Sequence, residues 1–390
     1  MIFLDKPYAS PFLADTLAKT QAPVFIQNVS VPSQSRLNVT SLPGLLGQIR
    51  EQKHYPLLTT SENAFELLEK HLPDSQLVRN ISLFKNKINF RKWMKQIDPS
   101  FFFLELPLHE LSQLDPKALP FPVILKPAVG YASWGVYRIT NEQEWFTICE
   151  QLHNELLLSD SLYSGAVFDS TTFIVEEWIQ GDEYAIDAYF DYSGAPVIVN
   201  VFKRMFLHEN DTSDRIYFTS KAVLQESIDS IKAFLETMGS KANLVNFPLH
   251  LEVRIKRNGQ IAPIEVNPLR FAGIGTTELG YFAYGVNPYE AFIQQDVPDW
   301  DNIQSTMDDS VYSFFCADIP TTIHPDSITE FNVEALKKQF SHLLHSYMPN
   351  DPRTLAVLFY RTDRLEDNQK YLELDLSQYI KHSESIVSNI

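Results

Sequence analysis

Residues 249–270 read LHLEVRIKRNGQIAPIEVNPLR, and the fold turns on how this stretch is read. At its centre stands Asn258-Gly259, a pair that favours a two-residue type I′ hairpin turn. Before it, Leu251, Val253 and Ile255 alternate with Glu252, Arg254 and Lys256. After it, Ala262, Ile264 and Val266 alternate with Ile261, Pro263, Glu265 and Asn267. Period-2 alternation on both arms predicts two half-buried strands. With Asn258 and Gly259 as the loop, Glu252 falls opposite Glu265 and His250 opposite Asn267. All four then share the face away from the aliphatic residues. Carboxylates paired this closely, with Cβ atoms roughly 4.5–5.5 Å apart, repel each other. A shared proton would relieve the repulsion. So would a solvated face on which Arg254 and Lys256 neutralise the pair, or a divalent cation. Two carboxylates and the amide oxygen of Asn267 are hard ligands, suited to Mg²⁺ held together with phosphates.

The chain has 390 residues, 44% of them hydrophobic, which suffices for roughly two or three packed domains. Its net charge of −17, without a long basic run, argues against nucleic acid or an anionic membrane as a main partner. No apolar run reaches the roughly 18 residues that a spanning helix needs. The start, MIFLDKPYAS, lacks the basic segment of a signal peptide. Cys149 and Cys316 stand far apart, so a cytoplasmic protein with free thiols is expected.

Working outward, residues 1–84 read as an α/β unit, with strands at Ile2–Leu4 and Pro23–Gln27 and a helix at Ser61–His71 capped by Ser61. No G-x-G-x-x-G follows the first strand. Leu83–Gln96 reads as one basic amphipathic helix carrying Lys85, Lys87, Arg91, Lys92 and Lys95. In FPVILKPAVGYASWGVYRI (121–139), strands flank a small-residue loop that can lay backbone N–H groups along a phosphate chain, with Lys126 at its edge. Glu142–Leu158 is helical by its Trp145, Ile148, Leu152 and Leu156 stripe. In FIVEEWIQGDEYAIDAYF (173–190), a strand edge beside apolar side chains can hold a purine, with Glu183 within reach of ribose hydroxyls. Ala195–Arg204 is a strand ending in Lys203-Arg204, and Met205–Ser220 a mobile polar loop. That loop holds His208 and Arg215 as candidate substrate contacts. Residues 299–390 read as a closing unit, with strands at Val311–Cys316 and Leu355–Tyr360 and a helix at Val333–Leu344.

Taken in order, PVILKPAVGYASWGV, VEEWIQGDEY and the hairpin resemble the ATP-grasp superfamily over roughly residues 85–295. The resemblance implies an α/β and α+β chain: an N-terminal α/β domain (1–84), a small subdomain (85–175), a large subdomain with the metal hairpin (176–298) and a C-terminal α+β unit (299–390). It implies ATP as cofactor, with Mg²⁺, or Mn²⁺ in its place, on Glu252, Glu265 and Asn267. Lys126 and Lys87 match the phosphate lysines; Gly130, Ser133 and Gly135 the phosphate loop; Glu176, Glu177 and Ile179 the adenine hinge; and Glu183 the ribose glutamate. Either Lys203 or Arg204 matches a further phosphate cation; Lys203 is taken as the candidate. Arg270 matches the arginine of an E-x-N-P-R run, although here Leu269 intervenes. Arg270 and Lys126 are the expected catalytic residues. The reaction implied is ligation of a small-molecule carboxylate to an amine through an acylphosphate, without nucleic acid or membrane, by a protein that resembles families in which homodimers are common. A carboxylase-type or carbamoyl-phosphate-type enzyme and a non-catalytic ATP-binding module are the alternatives.

Overall fold

The computed structural model describes residues 1–128, 135–159, 172–208, 211 and 213–383; Gly130 and Ser133 lie outside the described residues. At the N-terminus, β1 (Ile2–Leu4), β2 (Val24–Ile26) and β3 (Leu58–Thr59) form a parallel sheet in the order β2-β1-β3. Ile2, Phe3 and Leu4 are all buried, as both faces of a parallel strand usually are. The helix expected from Ser61 begins at Ala64, and the Ser61 hydroxyl accepts from the Asn63 N–H at 3.1 Å.

The basic segment expected as one helix is two, Gln76–Lys85 and Lys87–Met94. Asn86 between them is extended, and its Oδ1 accepts from the Ile88 and Asn89 N–H groups at 3.0 Å each. An asparagine that satisfies the free donors of a helix start competes well with continuing the previous helix. The break leaves Lys87 at the first turn of the second helix, with its N–H donated to the Ala128 carbonyl at 3.1 Å.

The small subdomain carries β4 (Phe103–Pro107), β5 (Val123–Pro127), β6 (Tyr137–Ile139) and β7 (Thr172–Glu177), all antiparallel in the order β4-β7-β5-β6. Trp145 and Leu152, from the helix Glu142–Ser159, fill its core.

A third sheet has eight strands: β8 (Asp182–Phe190), β9 (Pro196–Met205), β10 (Ile216–Thr219), β11 (Phe247–Ile255), β12 (Ile261–Pro268), β13 (Val311–Asp318), β15 (Leu343–Tyr347) and β16 (Thr354–Thr362). Their order is β12-β11-β8-β9-β10-β13-β16-β15, so the C-terminal strands extend the sheet of the large subdomain. Separately, β14 (Ile328–Phe331) pairs with β17 (Ile380–His382). Two expectations are corrected here. The polar loop expected to run to Ser220 ends in β10, whose four residues are all buried. The helix expected at Val333–Leu344 stops at Lys337, and Leu343 starts β15. In both places pairing with a neighbouring strand overrides weak local preference.

The helix Lys221–Ala242 packs Leu224, Ile228, Ile231 and Leu235 over one face of this sheet, against Tyr184, Ile186 and Ala188 of β8. The strand period then puts Glu183 and Asp187 on the opposite face, with His250, Glu252 and Arg254 beside them on β11.

Candidate active site

The hairpin pairs His250 with Asn267 and Glu252 with Glu265, as its alternation predicts. The turn is not the expected one. Lys256 N–H donates to the Gln260 carbonyl at 2.9 Å, leaving Arg257, Asn258 and Gly259 as a loop. Only Gly259 has a positive φ, +80°, whereas type I′ requires it at both central residues. This longer turn would slip the pairing by one residue. A bulge between the Glu252–Glu265 and Val253–Pro263 pairs restores it. The bulge also moves Ala262 and Ile264 away from Val266. They join Phe101, Phe103 and Ile179 in an apolar slot, while Val266 stays in the main core.

The carboxylate pair has a neighbour that the hairpin alone did not reveal. Lys87 Nζ lies 3.2 Å from Glu265 Oε2. Burial pushes the Glu265 carboxyl upward, but the charges of Lys87, Lys85 and Lys126 prevail and hold it down at about 2. The same cations favour the ionised form of Glu265. Arg254 and Lys256 do not neutralise the pair. Arg254 Nη2 is 3.0 Å from Glu183 Oε2, and Lys256 Nζ donates to Gln260 Oε1.

The donor set fits a divalent cation carrying phosphates. It consists of two partly exposed carboxylates and a buried amide, all oxygen ligands. Asn267 Nδ2 is buried without a partner among the described residues, as expected if it awaits an oxygen of a bound group. Among the described residues no three His, Cys, Asp or Glu side chains gather as a metal cluster, so the amide is needed to complete the set.

Beneath the pair lies a second charge cluster. Glu176, expected at the adenine hinge, turns its side chain inward between Arg91 (Nε at 2.7 Å) and Lys126. Burial alone would raise its carboxyl; the two cations hold it down at about 2. Burial holds the Lys126 ammonium below the usual lysine range despite Glu176. Arg91 also donates to the Pro263 carbonyl at 2.6 Å, tying its helix to the hairpin. Arg91, expected only as one cation of a basic amphipathic helix, is buried here. Its spacing of four from Lys87 puts both on one helical face and was the available signal.

At the hinge, the Glu177 and Trp178 N–H groups already serve the Phe102 and Pro122 carbonyls. Ile179 lines the apolar slot and lends its carbonyl to Arg254 at 2.9 Å. Glu183 sits between Arg204 and Arg254, 3.0 Å from each. Lys203 points the other way, over the Tyr184 ring and onto Asp182 and Glu226. Of the adjacent cations, expected as alternatives, it is Arg204 that lies on the face of Glu183 and within the field of Glu252. One residue decides between them because a strand alternates its faces. Arg215 is likewise no loop contact: it donates to the Leu372 and Leu374 carbonyls.

Leu269, the residue that interrupts the E-x-N-P-R spacing, adopts φ +59° and is fully buried. Its N–H donates to the Pro248 carbonyl, and its own carbonyl accepts from Thr59 of β3. A left-handed turn at one residue absorbs the insertion, and Arg270 reaches Glu62 of the N-terminal domain at 3.5 Å. Of the three residues expected in the phosphate loop, Gly135, at φ +70°, is the described one.

Beyond Arg270, Gly275 (φ +79°) passes so close under the hydroxyls of Tyr347 and Tyr8 that a Cβ would collide with Tyr347. Glu278 below is fully buried, with both oxygens unpartnered among the described residues. Desolvation pushes its carboxyl up to about 8. Between the usual carboxylate range and pH 8 the folded chain therefore holds a proton that the unfolded chain has lost, so stability falls as pH rises through that window. Glu278→Gln is expected to remove this dependence, stabilising by about 3–5 kcal/mol above pH 8 and little below pH 4.5. Melting curves across this range check it; equal shifts at both ends would contradict it.

Residues 119–278 match the ATP-grasp domain family. No curated protein sequence matches the chain. Among solved structures, L-amino acid ligase from Bacillus licheniformis is 13% identical with a TM-score of 0.59, covering 98% of each chain. Phosphoribosylamine–glycine ligase from Thermotoga maritima is 13% identical with a TM-score of 0.60, covering 98% of this chain and 97% of that one. The biotin carboxylase domain of the 2-oxoglutarate carboxylase from Hydrogenobacter thermophilus, solved with MgADP and bicarbonate, is 12% identical. Its TM-score is 0.55, over 98% of this chain and 90% of that one. Residues 119–278 thus carry an ATP-grasp domain, and the solved structures share the fold of the chain. No helix among the described residues is long and apolar enough to cross a membrane.

Proposed function

We propose that this chain is an ATP-dependent ligase that activates a small-molecule carboxylate as an acylphosphate and joins it to an amine, releasing ADP and phosphate. An amino acid is the favoured partner. The observation that supports this most is the pairing of Glu252 with Glu265, beside Asn267 and within reach of Lys87.

Each residue has a physical task in that reaction. Phosphoryl transfer asks mainly for positioning and charge neutralisation. Glu252, Glu265 and Asn267 would hold the magnesium, which when bound neutralises charge on the β and γ phosphates. Lys87, now on Glu265, would turn to phosphate once the cation takes its place. Lys126, fixed by Glu176 at the end of β5, would face the same phosphates. The slot of Phe101, Ile179, Ala262 and Ile264 would take the adenine ring, with Glu183 near the ribose. Arg270 would stabilise the oxyanion formed when the amine attacks the acylphosphate. No protein nucleophile is needed.

The test is ADP release from ATP and Mg²⁺ with a panel of carboxylates and amino acids. Release that requires both an acid and an amine supports ligation. Bound ATP with no stimulation by any pair would instead indicate a non-catalytic module.

A further inference from the structure

Behind Glu252 lies a buried polar network on the same sheet face. Asp187, in the middle of the apolar β8, has no exposed surface. As an ionised carboxylate it can only accept hydrogen bonds. It takes the His250 Nδ1–H at 2.8 Å, Asn200 Nδ2 at 2.9 Å and the Ala272 backbone N–H at 2.8 Å. Asn200 is itself locked: its Nδ2 also donates to the Thr277 carbonyl, and its Oδ1 accepts from the Tyr284 hydroxyl at 2.8 Å. A Cβ at Gly280 would strike the Asn200 amide, so the chain leaves that place empty.

These contacts fix the Asp187 rotamer, and Asp187 fixes the imidazole plane. The other ring nitrogen, Nε2, then faces Glu252 Oε1 at 3.6 Å. The Ala272 contact anchors, by the same carboxylate, the segment two residues beyond Arg270. Glu252 otherwise stands on an open sheet face and is about a quarter exposed. An unsupported glutamate there would sample several rotamers, and ordering it would weaken cation binding.

We propose that Asp187 and His250 are positioning residues: they hold Glu252 in the conformation that binds the divalent cation, and they set the Arg270 segment against it. This inference rests on the metal role given above to Glu252, and the experiment separates the two. Neither residue touches phosphate or substrate in this scheme.

The readout is binding of ADP, with and without Mn²⁺, by calorimetry and by the Mn²⁺ spin-resonance signal, so no turnover is needed. His250→Asn keeps an amide donor at the Nδ1 place, toward Asp187, and abandons Glu252. His250→Gln places its amide toward Glu252 and abandons Asp187. The expected result is that Mn²⁺ strengthens ADP binding about 10-fold less in His250→Asn than in the parent, with metal-free ADP affinity unchanged. Asp187→Asn is expected to follow His250→Asn, and His250→Gln to retain more of the metal effect. A metal-specific loss in both histidine variants also supports the proposal. It is overturned if His250→Asn keeps the parental metal effect, or if metal-free affinity falls in step. Glu252→Gln is the reference. If it loses the metal effect while the others keep it, only the positioning role falls. If it too binds Mn²⁺ and ADP like the parent, the metal reading falls as well.

Discussion

Glu265→Gln is expected to lower ADP release by about 10²–10³-fold at saturating ATP and substrates. The substitution keeps the shape and an oxygen but removes a charge. The Lys87, Lys85 and Lys126 cations that hold Glu265 ionised would then face the nucleotide site with only Glu252 to oppose them. A divalent ion with one carboxylate fewer supplies several kcal/mol less stabilisation of transition-state charge, and each 1.36 kcal/mol is tenfold in rate. Folding is expected to lose less than in Glu176→Gln, because Glu265 is partly exposed and glutamine still offers Lys87 an acceptor. Steady-state ADP release and a melting curve decide it. Turnover within tenfold of the parent in a folded variant would remove Glu265 from the metal site.

Glu176→Gln is expected to do the reverse, costing stability first. Glu176 is the shared counter-ion of two buried cations, Arg91 and Lys126. Removing one member of a buried ionic group leaves charge stranded in low dielectric, which costs about 3–5 kcal/mol. The neighbouring Glu177 is half-buried and makes no such pair among the described residues. Glu177→Gln should stay within about 0.5 kcal/mol of the parent. Denaturant midpoints for the two variants make the comparison, and equal losses would refute it. The pH dependence adds a second check. The Glu176 carboxyl is held down at about 2, so its contribution is complete above the unfolded carboxylate range. The contribution declines as pH falls toward 2, and the gap between parent and Glu176→Gln should close with it.

The hairpin of Glu252 and Glu265 shows how far local pattern carries. Alternation told which residues share a face, because a strand has a period of two wherever it lies. It did not tell the turn length or the bulge, and the correct Glu252–Glu265 pairing came from two departures that cancel: a longer loop and one extra residue at Ile264. The bulge also reassigned Ala262 and Ile264 from the core to the apolar slot. In the basic segment, helical period gave one helix over Leu83–Gln96 and missed the break at Asn86, since a cap acts through backbone donors that leave no mark on hydrophobic spacing.

From its residues alone, then, this chain determined the order of its motifs, the face that Glu252 and Glu265 share and the acidic, oxygen-rich character of the candidate site. These are properties of neighbours a few positions apart. Only the tertiary structure decided which cation answers which carboxylate: Lys87 to Glu265, Arg91 and Lys126 to Glu176, Arg204 rather than Lys203 to Glu183. It alone brought Asp187 behind His250 and carried the C-terminal strands into the large sheet. The reason is that charge pairing depends on distance and burial in space, and residues far apart in the chain acquire both only when the sheets close on each other.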